Sequence, residues 1–159
     1  MKKFFILLLI FGIMTTFSGC LANQTTDADI ADNNLKSKTT TVKQEAKIMK
    51  LYIDEIEVPV AWEENSSTAD LKKYLPLKIS MSKYGGFEQV GSIGRNIVSN
   101  DEKITTNYGD IVLYASNKIV IFYGSNSWSY TRLGHINLSQ KEMNDLLSKN
   151  DVNITIVEE

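Results

Sequence analysis

The chain has one cysteine (Cys20), one histidine (His135) and two prolines (Pro59 and Pro76) in 159 residues. A lone cysteine excludes an intrachain disulfide, a cysteine-based zinc site and a thiol–histidine catalytic pair in the folded part. Stability has to come from a packed core. A lone histidine, without carboxylates at ligand spacing around it, gives no metal site, and no cofactor is expected. Basic excess is lacking as well. Lysine and arginine number 17 against 19 acidic residues, so nothing points to nucleic acid as a partner. There is no internal repeat and no GxSxG nucleophile turn.

What is present begins with an address. Lys2 and Lys3 precede an almost unbroken apolar run from Phe4 to Met14, a secretory signal too short to span a membrane stably. The segment ends in "TFSGC", which resembles a bacterial lipoprotein cleavage box with Cys20 as the lipid-modified residue. Phe17 stands where an aliphatic residue is usual. Removing Lys2 and Lys3 leaves 15 basic residues against 19 acidic ones. Anchoring on the extracytoplasmic face of the bacterial membrane would then fall to the lipid on Cys20, not to charge. Residues 21–46 contain no aromatic side chain and no clear apolar period. Such a segment buries too little to offset its ordering entropy and is expected to be a flexible polar tether. That leaves residues 47–159 as one domain.

The domain reads as many short strands and two short capped helices. "IMKLYID" and "IEVPVAW" alternate around a tight turn at Asp54–Glu55, with Leu51 and Ile53, then Ile56, Val58 and Val60, on the apolar faces. Pro59 marks an edge or a bulge. "NSSTADLKKYLP" predicts a helix capped by Ser66 or Ser67. Asp70 would complement its dipole, Leu71, Tyr74 and Leu75 would be buried, and Pro76 would end it. "LKISMSKY" turns Leu77, Ile79 and Met81 to one side. Residues 84–107 carry four glycines and read as a loop-rich excursion with a short strand near Phe87 to Val90. "GDIVLYAS" and "KIVIFYG" follow, the second apolar enough to be buried on both faces. Ser139 and Glu142 form a capping box for a helix burying Met143, Leu146 and Leu147. "DVNITIVE" closes the chain. The pattern suggests a mainly β protein, a closed or nearly closed barrel with two short capping helices; a split α+β sandwich is the alternative.

Two stretches carry chemistry. "FYGSNSWSYTRLGH" holds four aromatic rings, an arginine and the histidine. If its strand is regular, Trp128, Tyr130, Arg132 and Gly134 share one face, while Ser127, Ser129 and His135 share the other. The serines then lie too far along the strand for a nucleophile–base pair. An exposed Trp128–Tyr130–Arg132 ladder makes a recognition wall; a buried one is core packing. "YGGFEQVG" is the second stretch: Tyr84 and Phe87 flank Gly85 and Gly86, either as a loop edging a pocket or as a wide turn. Glu88 and Arg95 are within reach of pairing across that loop, a contact of little energetic consequence on a surface.

"YGGFEQVGSI", "GDIVLYASNKIVIFYG" and "SYTRLGHI" together resemble the bacterial cyclophilin-like domain, over most of Met49 to Val157. The resemblance implies a compact β-barrel related to the cyclophilin prolyl isomerases. In it Gly109–Asp110 starts one barrel strand, Phe122–Gly124 ends the next, and Gly134–Ile136 matches the cyclophilin strand bearing a Phe-Gly pair. The chain departs from true cyclophilins at the arginine–phenylalanine strand, which "LKISMSKYGG" lacks, and at the Gly-Ser-Gln-aromatic segment, since "GSNSWSY" has no glutamine. The expected function is a surface-anchored binding module for a peptide or small molecule. Its wall would comprise Tyr84, Gly85, Gly86, Phe87, Tyr123, Trp128, Tyr130 and Arg132. The alternatives are a peptidyl-prolyl cis-trans isomerase assisting exported proteins, with Arg95 or Arg132 supplying the charge, and a structural lipoprotein without a ligand.

Overall fold

A computed structural model describes residues 47–159, which form ten strands and two short helices. The signal segment, the tether and Cys20 lie outside the described residues. Strands β1 (Met49–Ile53) and β2 (Ile56–Val58) make the expected hairpin. Its turn residues Asp54 and Glu55 have φ of 44° and 71°, the sign at both positions that matches strand twist in a two-residue hairpin. The Asp54 carboxylate accepts the Asn153 N–H at 2.9 Å and the Lys149 ammonium at 3.0 Å. These contacts hold it below the usual carboxylate range. Ile56, expected on the apolar face, is exposed; β2 is the last strand of the sheet, with no neighbour beyond it to cover the side chain.

At Pro59 the chain leaves β2 and begins β3 (Val60–Trp62), which pairs with the opposite end of the sheet. Helix α1 (Ser66–Lys72) is capped by Asn65, ahead of both serines. Asn65 Oδ1 accepts from the Ser67 and Thr68 N–H groups at 2.9 and 3.0 Å, and the Thr68 hydroxyl takes the Asn65 N–H in return. Asparagine is as good an N-cap as serine, and here its side chain is the one that reaches both donors. The cap shift leaves Asp70 beyond the first turn. Its carboxylate accepts the Val98 N–H at 2.8 Å and pairs with Lys73 instead of serving the helix dipole.

Strand β4 (Leu77–Tyr84) turns at Gly85–Gly86 into β5 (Glu88–Ser92), followed by β6 (Glu102–Thr105), β7 (Asp110–Tyr114), β8 (Lys118–Phe122) and β9 (Ser127–Ile136). Helix α2 (Gln140–Leu147) has the predicted Ser139–Glu142 capping box, and β10 (Asp151–Glu158) ends the chain. The sheet order is β2-β1-β10-β4-β5-β8-β7-β9-β3, with β6 added to β9. Because β2 and β3 are the two edges and are joined through Pro59, the sheet curls until its edges meet: a nearly closed antiparallel barrel. The Trp62 indole N–H donates to the Met49 carbonyl at 2.7 Å across that seam. Leu51, Ile53, Met81, Ile119, Ile121, Leu133 and Ile154 fill the barrel, and Leu71, Met143 and Leu147 come in from the helices.

Two departures from the sequence reading position the site. The glycine-rich excursion contains, besides the short strand expected near Phe87 to Val90 (β5, held between β4 and β8), a second and unexpected strand, β6. Within β5 two polar residues, Glu88 and Gln89, are buried. The Gln89 amide donates to the Leu147 and Lys149 carbonyls at 2.7 and 2.8 Å, closing the end of α2. Gly91 sits where a Cβ would come within 2.5 Å of Ile79 and 2.8 Å of Met81. The second departure is a bulge in β9: Ile111 faces Gly134, but the next residue, Val112, faces Arg132, leaving Leu133 as the extra residue. One extra residue inverts the alternation beyond it.

Candidate functional site

Strand β8 is buried on both sides, as its unbroken apolar run predicts. Ile119 and Ile121 enter the barrel, whereas Val120 and Phe122 face outward with Val112 and Tyr130 in a second cluster. The ring of Phe122 stacks on Phe87 at 6.5 Å and meets the edge of Tyr130 at 5.7 Å. Tyr114 packs edge-on to Tyr130 at 5.9 Å, the offset geometry that aromatic quadrupoles prefer.

This outer cluster is the floor of an open cleft of about 450 Å3, lined by Tyr84, Glu88, Val90, Tyr114, Lys118, Val120, Asn126, Trp128 and Tyr130. Tyr84, 68% exposed, comes from the end of β4, and Trp128, 58% exposed, from the start of β9. The Tyr130 hydroxyl receives the Asn126 amide at 3.1 Å. The Lys118 ammonium stands 5.5 Å from the centre of the Tyr114 ring.

Glu88 is the unusual member. It is only 5% exposed, and its Oε2 is buried without a hydrogen-bond partner among the described residues. Register places it opposite Phe122. Burial pushes its carboxyl up to about 7. The Tyr130 and Tyr123 phenols are likewise raised, first by burial and then by the charge of Glu88.

Residues 51–157 match the cyclophilin-like family. The chain belongs to that family. A hypothetical protein from Archaeoglobus fulgidus, known from a solution structure, shares the fold with a TM-score of 0.52 at 13% identity, over 70% of this chain and 93% of that one. No curated protein matches the chain.

Within this cyclophilin-like barrel the sequence-predicted wall divides. Tyr84, Trp128 and Tyr130 line the cleft together, and Phe87 supports its floor. Gly85 and Gly86, with φ of 60° and 76°, make the β4–β5 turn that sets Tyr84 and Phe87 apart. Tyr123 goes elsewhere: it is 5% exposed and packs into the barrel core, because it follows Phe122 and therefore points to the opposite side. Arg132 borders a smaller neighbouring cavity of about 280 Å3 that it shares with Tyr130. The expected Glu88–Arg95 pair does not form, since Glu88 is buried in β5 while Arg95 lies 4.5 Å over the Tyr74 ring. Sequence reasoning missed Glu88, Tyr114, Lys118 and Asn126 as cleft residues. Glu88 left one legible signal, a carboxylate within an otherwise strand-like stretch.

The bulge also rearranges the histidine. His135, expected on the face opposite Arg132, shares Asp110 with it. Asp110 Oδ1 is 2.8 Å from His135 Nδ1, and Oδ2 accepts from Arg132 at 3.2 Å and from the Asn107 N–H at 2.9 Å. The Ser125 hydroxyl donates to the Thr106 carbonyl, and the Ser127 hydroxyl pairs with Thr105. Neither serine therefore serves His135 as a nucleophile. Among the described residues no group of three or more His, Cys, Asp or Glu side chains is placed to hold a metal ion.

Proposed function

We propose that the cyclophilin-like domain is a binding module that takes a small molecule or a peptide side chain in the Tyr84–Trp128 cleft. The carrying observation is the contrast between exposed rings and a buried floor: Trp128 and Tyr84 stand in solvent above Val120, Phe122 and Tyr130. An indole and a phenol flanking a shaped apolar floor with a few polar groups is the general make-up of a ligand site. We further propose that lipid on Cys20 holds the chain at the extracytoplasmic membrane face; the "TFSGC" box and the polar segment after it support this reading.

The isomerase alternative lacks a comparable observation. A twisted prolyl amide calls for a donor at its nitrogen. Arg95 is engaged with Tyr74 and Arg132 with Asp110, outside the cleft. Nuclear magnetic resonance on the full-length chain in mild detergent tests the module. Small-molecule and proline-containing peptide panels should give saturable shifts at Tyr84 and Trp128, and shifts confined to other faces would refute the reading. The same spectra report cis–trans exchange of the peptides, and catalysed exchange would favour the isomerase. Cys20→Ser should release the protein from the membrane fraction; unchanged retention would remove the anchor.

A further inference from the structure

Buried polar atoms almost always find partners, because leaving one bare forfeits its hydration. Glu88 Oε2 breaks that rule at the floor of an open cleft. A glutamate that served packing alone would be replaced at lower cost by an apolar residue of similar volume. Its surroundings supply rings. Tyr84, Tyr114, Trp128 and Tyr130 line the same cleft, and the faces of such rings carry partial negative charge. One of them already receives a cation, since the Lys118 ammonium stands over Tyr114 at 5.5 Å. A buried acceptor and several electron-rich faces converge on one space of about 450 Å3, within the range of small-molecule sites.

We propose that the cleft binds an organic ammonium group, with Glu88 as its counter-ion and Tyr84, Tyr114 and Trp128 as its aromatic walls. The inference rests on the binding-module reading and names its ligand class. A free quaternary amine and the ammonium of a peptide lysine share this chemistry. Binding requires the ionised carboxylate, so affinity rises with pH through the neutral range, where burial has moved Glu88. The groups facing Glu88 leave that dependence to it. Tyr123 and Tyr130 are pushed above the ordinary phenol value, Tyr84 and Tyr114 are phenols, Phe122 and Asn126 do not titrate, and Lys118 is the one cation lining the cleft.

The test uses four probes on the full-length chain in mild detergent, followed through amide and indole resonances at constant ionic strength. Choline is set against its uncharged isostere 3,3-dimethylbutan-1-ol, and Nα-acetyl-lysine amide against Nα-acetyl-norleucine amide. At pH 8 at least one cation should bind roughly fivefold or more tightly than its neutral twin. Choline alone showing the gain identifies a free quaternary amine; the lysine amide alone identifies a peptide side chain. Glu88→Gln should abolish the gain, and Trp128→Ala should weaken all four probes. Neutral twins binding as well as the cations would overturn the ammonium proposal and leave the module standing. A preference that survives Glu88→Gln would overturn the role of Glu88. Saturation by none of the four at Tyr84 and Trp128 would overturn the ammonium proposal and count against the module.

Discussion

Asp110 Oδ1 lies 2.8 Å from His135 Nδ1, across a pairing that regular alternation along β9 would have set on the wrong face. The bulge at Leu133 returns His135 to the side of Arg132, and one 8%-exposed carboxylate holds both. Asp110 also accepts a backbone N–H from Asn107, so it ties the loop before β7 to the middle of β9. Asp110→Ala should therefore destabilise the domain by about 2–4 kcal/mol, since it strands several donors at once. His135→Ala, whose ring is 41% exposed, should cost about 1 kcal/mol or less. Urea unfolding of the two variants and their double mutant measures the coupling; equal losses from both single variants would contradict this ranking.

Glu88 gives the fold a pH signature. Its carboxyl is raised by burial from 4.5 to about 7. Between those values the folded state keeps a proton that the unfolded state has released, so stability falls as pH rises from about 4.5 to about 7 and is level above. The full penalty is on the order of 3 kcal/mol. Glu88→Gln should cancel this slope, matching the wild type near pH 4.5 and exceeding it at pH 8. The difference between the two proteins' urea midpoints across that range isolates Glu88 from the other carboxylates.

Trp128 and Phe122 belong to the same stretch of sequence, yet their truncations should differ sharply. Phe122 is fully buried, and its replacement by alanine should cost about 3–5 kcal/mol. Trp128 is 58% exposed, so Trp128→Ala should shift stability by no more than about 0.5 kcal/mol while removing ligand shifts at the cleft. Thermal melts together with the probe titrations separate the two effects.

Gly109 is poorly tolerant of a methyl group. Its φ is +88°, and a Cβ there would lie 2.7 Å from the Ile136 carbonyl oxygen and 2.8 Å from the His135 ring. The imidazole can swing away. The backbone cannot, because the Ile136 N–H donates to the Gly109 carbonyl at 2.8 Å. Gly109→Ala should lower stability by more than about 2 kcal/mol, seen as a lowered melting temperature with the far-ultraviolet spectrum retained.

The barrel was legible where alternation was clean, in β1, β4 and β10, and where an apolar run was unbroken, in β7 and β8, together with the Ser139–Glu142 cap. It was least legible where residues break the pattern for a reason. Gln89 and Glu88 are polar yet buried, one closing a helix end and the other facing the cleft, so β5 was legible as a short strand but its burial was not. Leu133 followed by Gly134 interrupts the period of β9, and a glycine beside an unexpected apolar residue is the mark a bulge leaves. Read as regular, the strand rightly brought Trp128 and Tyr130 together and wrongly parted Arg132 from His135. Tyr114 and Lys118 belong to the cleft through pairing between strands distant in sequence, which no local pattern carries.

Strands β1 and β10 pair from Met49 opposite Glu158 to Ile53 opposite Ile154, and Ile48 and Glu159 exchange backbone hydrogen bonds beyond them. The two ends of the described domain therefore emerge side by side. A short linker could join residue 159 to residue 47 and a new opening be cut at exposed Ala115 in the β7–β8 turn, giving a circular permutant with the same strand pairings. The domain behaves topologically as a closed loop that happens to be cut between β10 and β1, so the order in which its strands are synthesised is separable from the order in which they pair.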